Sequence, residues 1–391
     1  MFLEKCMTVV WEPALPVQSV VWRDKAAALT RDLFAPAAAA IDAEQRYPVE
    51  HLAPLLASGI SGMFVPAEYG GSGASLTSVV SVVETVAQGC ASTAAILAAL
   101  SLGAFPVLLG GTHAQKMELL GGLATQGRAV NFALSERDAG SDPSGLQTVA
   151  VREGEGWRIR GEKCWLGNGG HSSHFIVFAR SSDDERHNIS AFVVRRDAPG
   201  VAVDFYEDKM GIRGTTTTNL KLDTWVPASA MVGEEGRGMR LALGTLAIGR
   251  VVVAAQANGI ALGSYAAARD FAARRETFGK PIIDHQAIGF KLADSATALS
   301  ASRMMTYEAA RAYDAGQDIG VLGAMAKLLA SENSHAVVDD AVQILGGRGY
   351  VKPCAVERAY RDQRITEIYE GTSEIQRLVI ARAVKKEALS A

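Results

Sequence analysis

A helical body interrupted by a β-domain is the fold class that the pattern of this chain predicts, and three changes of texture carry the prediction. Residues up to about Gln126 are rich in Ala, Leu and Glu, and turn signals at Pro48, Gly59 and Gly70–Gly71 separate helical stretches. Between about Arg128 and Val232 the chain breaks into short β-like runs, at 157–160, 175–179, 189–194 and 219–222. Gly, Asn and Asp turns punctuate these runs, as in a small antiparallel barrel or sandwich. After Gly238 long helical periods return, over 241–275, 286–315, 319–345 and 372–389. Helices, then strands, then helices place the domains at 1–127, 128–236 and 237–391.

Strands do not alternate regularly with helices, which argues against a doubly wound nucleotide fold. Neither a GxGxxG opening a helix after a strand nor a GxxxxGK[ST] is present, so a nucleotide cofactor needs another device. Thirty-nine basic and forty-two acidic side chains give a net charge of −3, which calls for neither nucleic acid nor an anionic membrane. Cys6, Cys90, Cys164 and Cys354 form no CxxC pair, which favours neither zinc nor a disulfide framework. A reducing, cytoplasmic compartment is the expectation. The first eleven residues lack the long apolar core of a signal peptide. Residues 85–112 carry no charge and are long enough to span a bilayer. They are rich in small residues and interrupted by Gly103 and Pro106, so they read as a buried core helix.

Five segments carry chemistry. In 131–142, backbone amides near Gly140 with the Ser135 and Ser141 hydroxyls form a donor-rich loop, or simply a polar entry to the β-domain. In 161–170, Trp165 enters a Gly-rich turn and reads as a wall for a planar ring or as ordinary core. In 274–281, Arg275 and Thr277 suit a pyrophosphate, although an exposed basic helix end has the same pattern. In 343–349, glycines allow close backbone approach or a plain helix C-cap. In 368–376, Glu370 precedes a glycine and a helix capped by Thr372 or Ser373. A carboxyl in a dry pocket becomes a usable base near neutrality, whereas an exposed loop carboxylate does nothing.

In order along the chain, Val65 to Gly71, Ala133 to Asp142, Trp165 to Gly170, Lys209 to Arg213, Arg250, Thr277 to Gly279, Gln343 to Gly347 and Tyr369 to Ser373 resemble the acyl-CoA dehydrogenase family. That resemblance implies a helical N-terminal domain, a middle antiparallel β-barrel and a C-terminal four-helix bundle. It implies FAD in an extended form, held partly by a neighbouring subunit of a homotetramer or homodimer. Phe132, Leu134, Ser135, Trp165 and Gly167 would surround the flavin ring. Arg275, Thr277, Phe278 and Gln286 would reach FAD from the adjacent protomer. Gln343, Gly346 and Gly347 would contact it from the opposite side, with Thr372 and Glu374 toward its pyrophosphate or adenosine end. Ser141, Arg250 and Gly371 would contact the thioester ligand. Glu370 would remove the α-proton of an acyl-CoA or acyl-carrier-protein thioester, giving a trans-2-enoyl product. Some family members place the base on the helix holding Gly249, and here that position is glycine. The implied electron acceptor is an electron-transfer flavoprotein.

Three residues depart from the family pattern. Gly167 stands where a Thr or Ser is usual, which resembles acyl-CoA oxidases and makes O2 an alternative acceptor. Ala247 replaces an acid three residues before Arg250, which would suit a carrier-bound thioester, and Arg137 replaces a proline in the 135–140 loop. A non-enzymatic binding protein on the same fold would need a basic extension, and the chain ends soon after Lys385–Lys386.

Overall fold

The computed structural model describes residues 9–184 and 188–390. Most of the N-terminal stretch read for a leader, Cys6 included, lies outside the described residues.

Among the described residues seven α-helices form the first layer: α1 (Val17–Leu29), α2 (Ala35–Glu44), α3 (Val49–Ala57), α4 (Leu76–Gly89), α5 (Ala91–Gly110), α6 (His113–Gln115) and α7 (Gly121–Gln126). Ser75 caps α4 by accepting from the Ser78 amide, and Thr112 and Gln115 close a reciprocal capping box on α6. The uncharged run is α5, and its faces are shared out among α4, the strand Ala129–Ala133 and the long helix Gly238–Arg274. Gly103 shows how tight this is: a Cβ there would lie 1.8 Å from the Val130 carbonyl oxygen. α5 is long and apolar enough to cross a membrane, yet 72% of its most apolar window is buried within the protein.

The β-domain comprises β1 (Ala129–Ala133), β2 (Val149–Glu153), β3 (Gly156–Gly167), β4 (Ser172–Arg180), β5 (Ile189–Arg195), β6 (Val201–Tyr206), β7 (Thr217–Pro227) and β8 (Met231–Val232). They follow the order β6-β7-β3-β2-β4-β5-β8, with β1 added on β4. The antiparallel barrel or sandwich expected from turn spacing needs correction in its strand directions, and closure into a barrel is not seen among the described residues. β1 runs parallel to β4, pairing Phe132 with Ile176, and β2 meets β4 in parallel at Val149–Arg180. Among the described residues the end strands β6 and β8 do not pair, so the sheet is mixed and the path open. The expectation failed because local turn signals report where strands end, not which direction a distant strand will pair. β7 alternates buried and exposed residues, as a strand with one covered face must. β4 does not alternate: Phe175 to Ala179 are all buried, because that strand lies between two apolar clusters.

The third zone holds α8 (Gly238–Arg274), a short hairpin β9 (Glu276–Thr277) and β10 (Lys280–Pro281), α9 (Gln286–Asp314), α10 (Gly320–Leu345), α11 (Gly347–Tyr350), α12 (Ala355–Gln363) and α13 (Ser373–Ser390). The long helices start and stop within a few residues of the positions that periodicity predicts. α8, α9 and α10 pack on one another, and α13 lies along α10 with only Ser373 and Gln376 buried. The region is a helical domain; the four-helix count is a finer statement than three mutually packed helices and a peripheral α13 support.

One apolar cluster runs from Trp22 and Phe34 through α4 and α5 to Val251, Val252 and Tyr307, joining the N-terminal and C-terminal helices. Buried ion pairs cross the same boundary. Arg303 on α9 places its guanidinium 2.9 Å from Glu84 on α4, both side chains 4% exposed, and Tyr307 Oη donates to Glu84 at 3.1 Å. Arg361 on α12 grips Asp42 of α2 and Glu357, while the Asp362 carboxylate accepts from the Ile212 amide in the β-domain. Arg303→Leu strands the Glu84 carboxylate in the core, and a loss of about 3–5 kcal/mol is expected from the denaturant midpoint. Adding Glu84→Leu to that variant restores most of the loss, because no buried charge is then left unpaired; Glu12, the other carboxylate on Arg303, is 55% exposed.

Candidate active site

Glu370 lies in the short segment between α12 and α13, in a backbone conformation that few residues adopt. Its φ is 57° and that of Gly371 is 89°. Holding a non-glycine residue there costs on the order of 1–3 kcal/mol, so surrounding contacts must impose it. Three helices supply them. From α13, Gln376 Nε2 donates to the carbonyls of Glu370 at 3.1 Å and Gly371 at 2.7 Å. From α10, Lys327 Nζ donates to the Gly371 carbonyl at 2.8 Å. From α8, Gln256 Oε1 accepts from the Tyr369 hydroxyl. Gly371 is required by its φ and by space, since a Cβ there would lie 2.8 Å from Gln376 Nε2.

The carboxylate points at α8. A Cβ on Gly249 would lie 2.7 Å from Glu370 Oε2, so the missing side chain at 249 is what leaves room for the acid. Glu370 as a residue is half-buried, but Oε2 is shut from solvent and accepts no hydrogen bond among the described residues. Burial raises its pKa to about 7, against the opposing pull of the Arg250 and Lys327 charges. Arg250 is itself buried, its Nε without a partner, and burial lowers its pKa while Glu370 counters. Burial pulls Lys327 down to about 8. Two cations and one acid thus meet where α8, α10 and the 368–372 segment converge. That is an arrangement for holding a carboxylate whose proton is exchangeable near neutrality.

A second group of predicted residues meets on one rim of the β-domain. The Cys164 amide donates to the Ser135 carbonyl at 3.0 Å, and Lys163 Nζ donates to the Leu134 carbonyl at 3.0 Å. Asn131 Nδ2 donates to the Gly167 carbonyl. Phe132, Leu134, Ser135, Trp165 and Gly167 are therefore neighbours although thirty residues part the two segments. Leu134 is buried, Phe132 and Ser135 half-buried. Trp165 is 50% exposed with φ 57°, so it is not the core tryptophan that its residue type favours; Trp157 fills that role at 1%. Gly167 has its nearest neighbour, Ala99 Cβ, 3.8 Å from a notional Cβ, so a small side chain would fit there.

The rim stands on a pair that sequence reading overlooked. Lys163 is fully buried and lies 2.7 Å from Glu136 Oε1, and the Glu136 carboxylate accepts from the Gln147 and Thr148 amides. Burial brings Lys163 down to about 8, while Lys163 and those amides hold Glu136 below the usual carboxylate range although burial opposes them.

The remaining candidates fall in three places. Arg275, Thr277, Phe278 and Gln286 gather at the β9–β10 hairpin and the start of α9. There the Thr277 hydroxyl is 3.1 Å from His285 Nε2, and Phe278 lies edge-on to the same ring. Phe278 is 95% exposed, so apart from that edge contact it is unseated among the described residues. Gln343, Gly346 and Gly347 are exposed where α10 ends, Gly346 having φ 57° and ψ −137° as only glycine readily does. Thr372 caps α13, its hydroxyl accepting from the Ile375 amide at 3.4 Å, and exposed Glu374 follows. Ser141 is exposed in the 135–142 loop, which turns tightly through a Glu136–Ala139 bridge. Lys327 and Gln376 went unread in the sequence, although Lys327 is the lone charge between Asp318 and Glu332 and could have been flagged.

Residues 19–127, 131–225 and 236–385 match the family models for the acyl-CoA dehydrogenase N-terminal, middle and C-terminal domains. A probable acyl-CoA dehydrogenase of Mycobacterium leprae is 41% identical over 373 residues, covering 95% of this chain and 96% of that protein. Butyryl-CoA dehydrogenase from Megasphaera elsdenii superposes with a TM-score of 0.93 at 38% identity, over 96% of this chain and 100% of that one. The prolyl acyl carrier protein oxidase AnaB superposes with a TM-score of 0.90 at 27% identity, over 95% of this chain and 100% of that one. With all three domain models matched in order along nearly its whole length, the chain belongs to the acyl-CoA dehydrogenase family.

Proposed function

We propose that this protein is an FAD-dependent dehydrogenase that converts an acyl thioester to its trans-2-enoyl form, with Glu370 as the base. The observation that carries the reading is a carboxylate walled in by Gly249, Arg250 and Lys327 and poised near pH 7. The α-hydrogen of a thioester is a weak acid, so its removal needs a base of matched pKa and donors for the developing enolate oxygen. Glu370 is the base. Its rigid turn, clamped by Gln376 and Lys327, fixes where the proton is received. Arg250 and Lys327 keep the carboxylate ionisable in spite of burial.

The residues present fit an isoalloxazine: a half-exposed indole, Trp165, stands beside Phe132 and Ser135, with no side chain at 167 to block the edge. FAD, when bound, supplies the hydride acceptor for the β-carbon. Arg275, Thr277, Phe278 and Gln286 are read as the contribution of a second subunit, because Arg275, Phe278 and Gln286 are exposed at the β9–β10 hairpin and the start of α9. A homotetramer or homodimer in the cytoplasm, passing electrons to an electron-transfer flavoprotein, is the assembly this reading favours. Gly167 and the likeness to an acyl carrier protein oxidase support a second reading, in which O2 takes the electrons and the thioester is carrier-bound.

The decisive assay follows flavin bleaching with a panel of acyl-CoA and acyl-carrier thioesters. Glu370→Gln should keep the yellow cofactor and lose about 10²-fold or more of the rate. A colourless purified protein, or a Gln variant as fast as the parent, overturns the proposal. Stopped-flow reoxidation in air, with hydrogen peroxide as product, would select the oxidase reading. Because the base must be ionised, kcat/KM should rise with pH through a midpoint near 7. Arg250→Met removes one of the two cations that favour the carboxylate, so that midpoint should move upward.

The same burial sets a stability slope. Between the ordinary carboxylate range and about 7 the folded protein holds a proton that the unfolded chain has released, so stability falls as pH rises through that window. Glu370→Gln should flatten this part of the profile, measured as unfolding midpoint against pH.

A further inference from the structure

Lys327 is a buried ammonium that the proton transfer itself does not consume. It sits mid-helix on α10, fully shielded, in an otherwise uncharged run from Gly323 to Ala330. Burying such a group costs several kcal/mol unless partners compensate, so its place calls for a reason. Its hydrogen bond goes to the carbonyl that follows the base, Gly371 O at 2.8 Å. Gln376 Nε2 converges on the same oxygen at 2.7 Å and on Glu370 O at 3.1 Å. Three donor contacts thus fall on two consecutive carbonyls in a turn with two successive positive φ values. Left to itself, a glutamate at φ 57° would relax, and its carboxylate would leave the niche beside Gly249.

We propose that Lys327 is a positioning residue for proton abstraction: with Gln376 it locks the Glu370–Gly371 turn, and its charge stabilises the ionised base. This rests on the reading of Glu370 as the base. The two clamps differ in kind, since Gln376 contributes bonds alone whereas Lys327 contributes a bond and a charge. The other charged or titratable groups that face this pair are Arg250 from α8, Tyr369 beside the base, Glu367 before it and Glu374 on α13. Arg250 repels Lys327, and Glu370, Glu367 and Glu374 attract it. The reaction's balance is unchanged: the α-carbon to hydrogen bond breaks and its proton passes to the Glu370 carboxylate.

The test uses the FAD-loaded enzyme with the best thioester from the panel. Lys327→Met should bind flavin normally, lose about 10-fold or more in kcat with KM nearly constant, and raise the acid-limb midpoint of kcat/KM by about 1 unit. Lys327→Arg, where it folds, should return the midpoint toward the parent. Gln376→Met should lower kcat and leave the midpoint in place, because no charge is removed. Exchange of the substrate α-hydrogen with deuterated solvent should fall in step with kcat, isolating proton transfer from electron acceptance. A Lys327→Met enzyme with lowered melting temperature but parental midpoint and kcat overturns the proposal, as it makes the lysine purely structural. Should Lys327→Met fail to fold, Gln376→Met decides, and parental kcat there overturns the clamp. If instead Glu370→Gln exchanges and bleaches like the parent, the base assignment has failed and the proposal falls with it, an outcome recognisable without any Lys327 variant.

Discussion

A carboxylate taken out of water needs either a proton or a positive neighbour, and much of this structure arranges both options around Glu370. Desolvation alone would keep the acid protonated throughout the neutral range. Arg250 and Lys327 oppose that penalty, and the balance settles near pH 7, where loss and gain of a proton are both accessible. Neither cation can be placed without its helix. α8 brings Arg250 and the vacant position at Gly249, α10 brings Lys327, and α13 contributes the amide that fixes the turn.

This requirement explains why the helices are tied together by buried charge as well as by apolar contact. Arg303 with Glu84 joins α9 to α4, and Arg361 with Asp42 joins α12 to α2. A buried pair adds little net stability over an apolar pair of the same shape, but it penalises any displaced register heavily. Lys163 and Glu136 act in the same way within the β-domain, holding the 134–148 loop against β3 so that Ser135 and Trp165 share a rim. The positions that function depends on are therefore set by interactions intolerant of small shifts.

Parts of the architecture were legible because their signals are local. The helices of the last third, the strands at 157–160, 175–179, 189–194 and 219–222, and the cap at Thr372 follow from periodicity, turn residues and side-chain chemistry within a few positions. The acid at 370 was legible as a candidate for the same reason, sitting before a glycine at a helix start. The parallel pairing of β1 with β4 was not, since it joins segments some forty residues apart and no nearby residue encodes strand direction. Trp165 was ambiguous because its residue type favours burial; only its left-handed backbone and half-exposed ring decide the matter.

The amino-acid sequence by itself determined the order of helical and β zones, the ordered motifs of the acyl-CoA dehydrogenase family and the presence of one suitably placed glutamate. Tertiary structure alone decided that this glutamate is dry, that its turn is left-handed, and that Lys327, forty-three positions earlier, answers it. The division has a physical cause. Backbone preferences and capping act over one or two helical turns, whereas desolvation and charge act through space and depend on which distant helices are packed together.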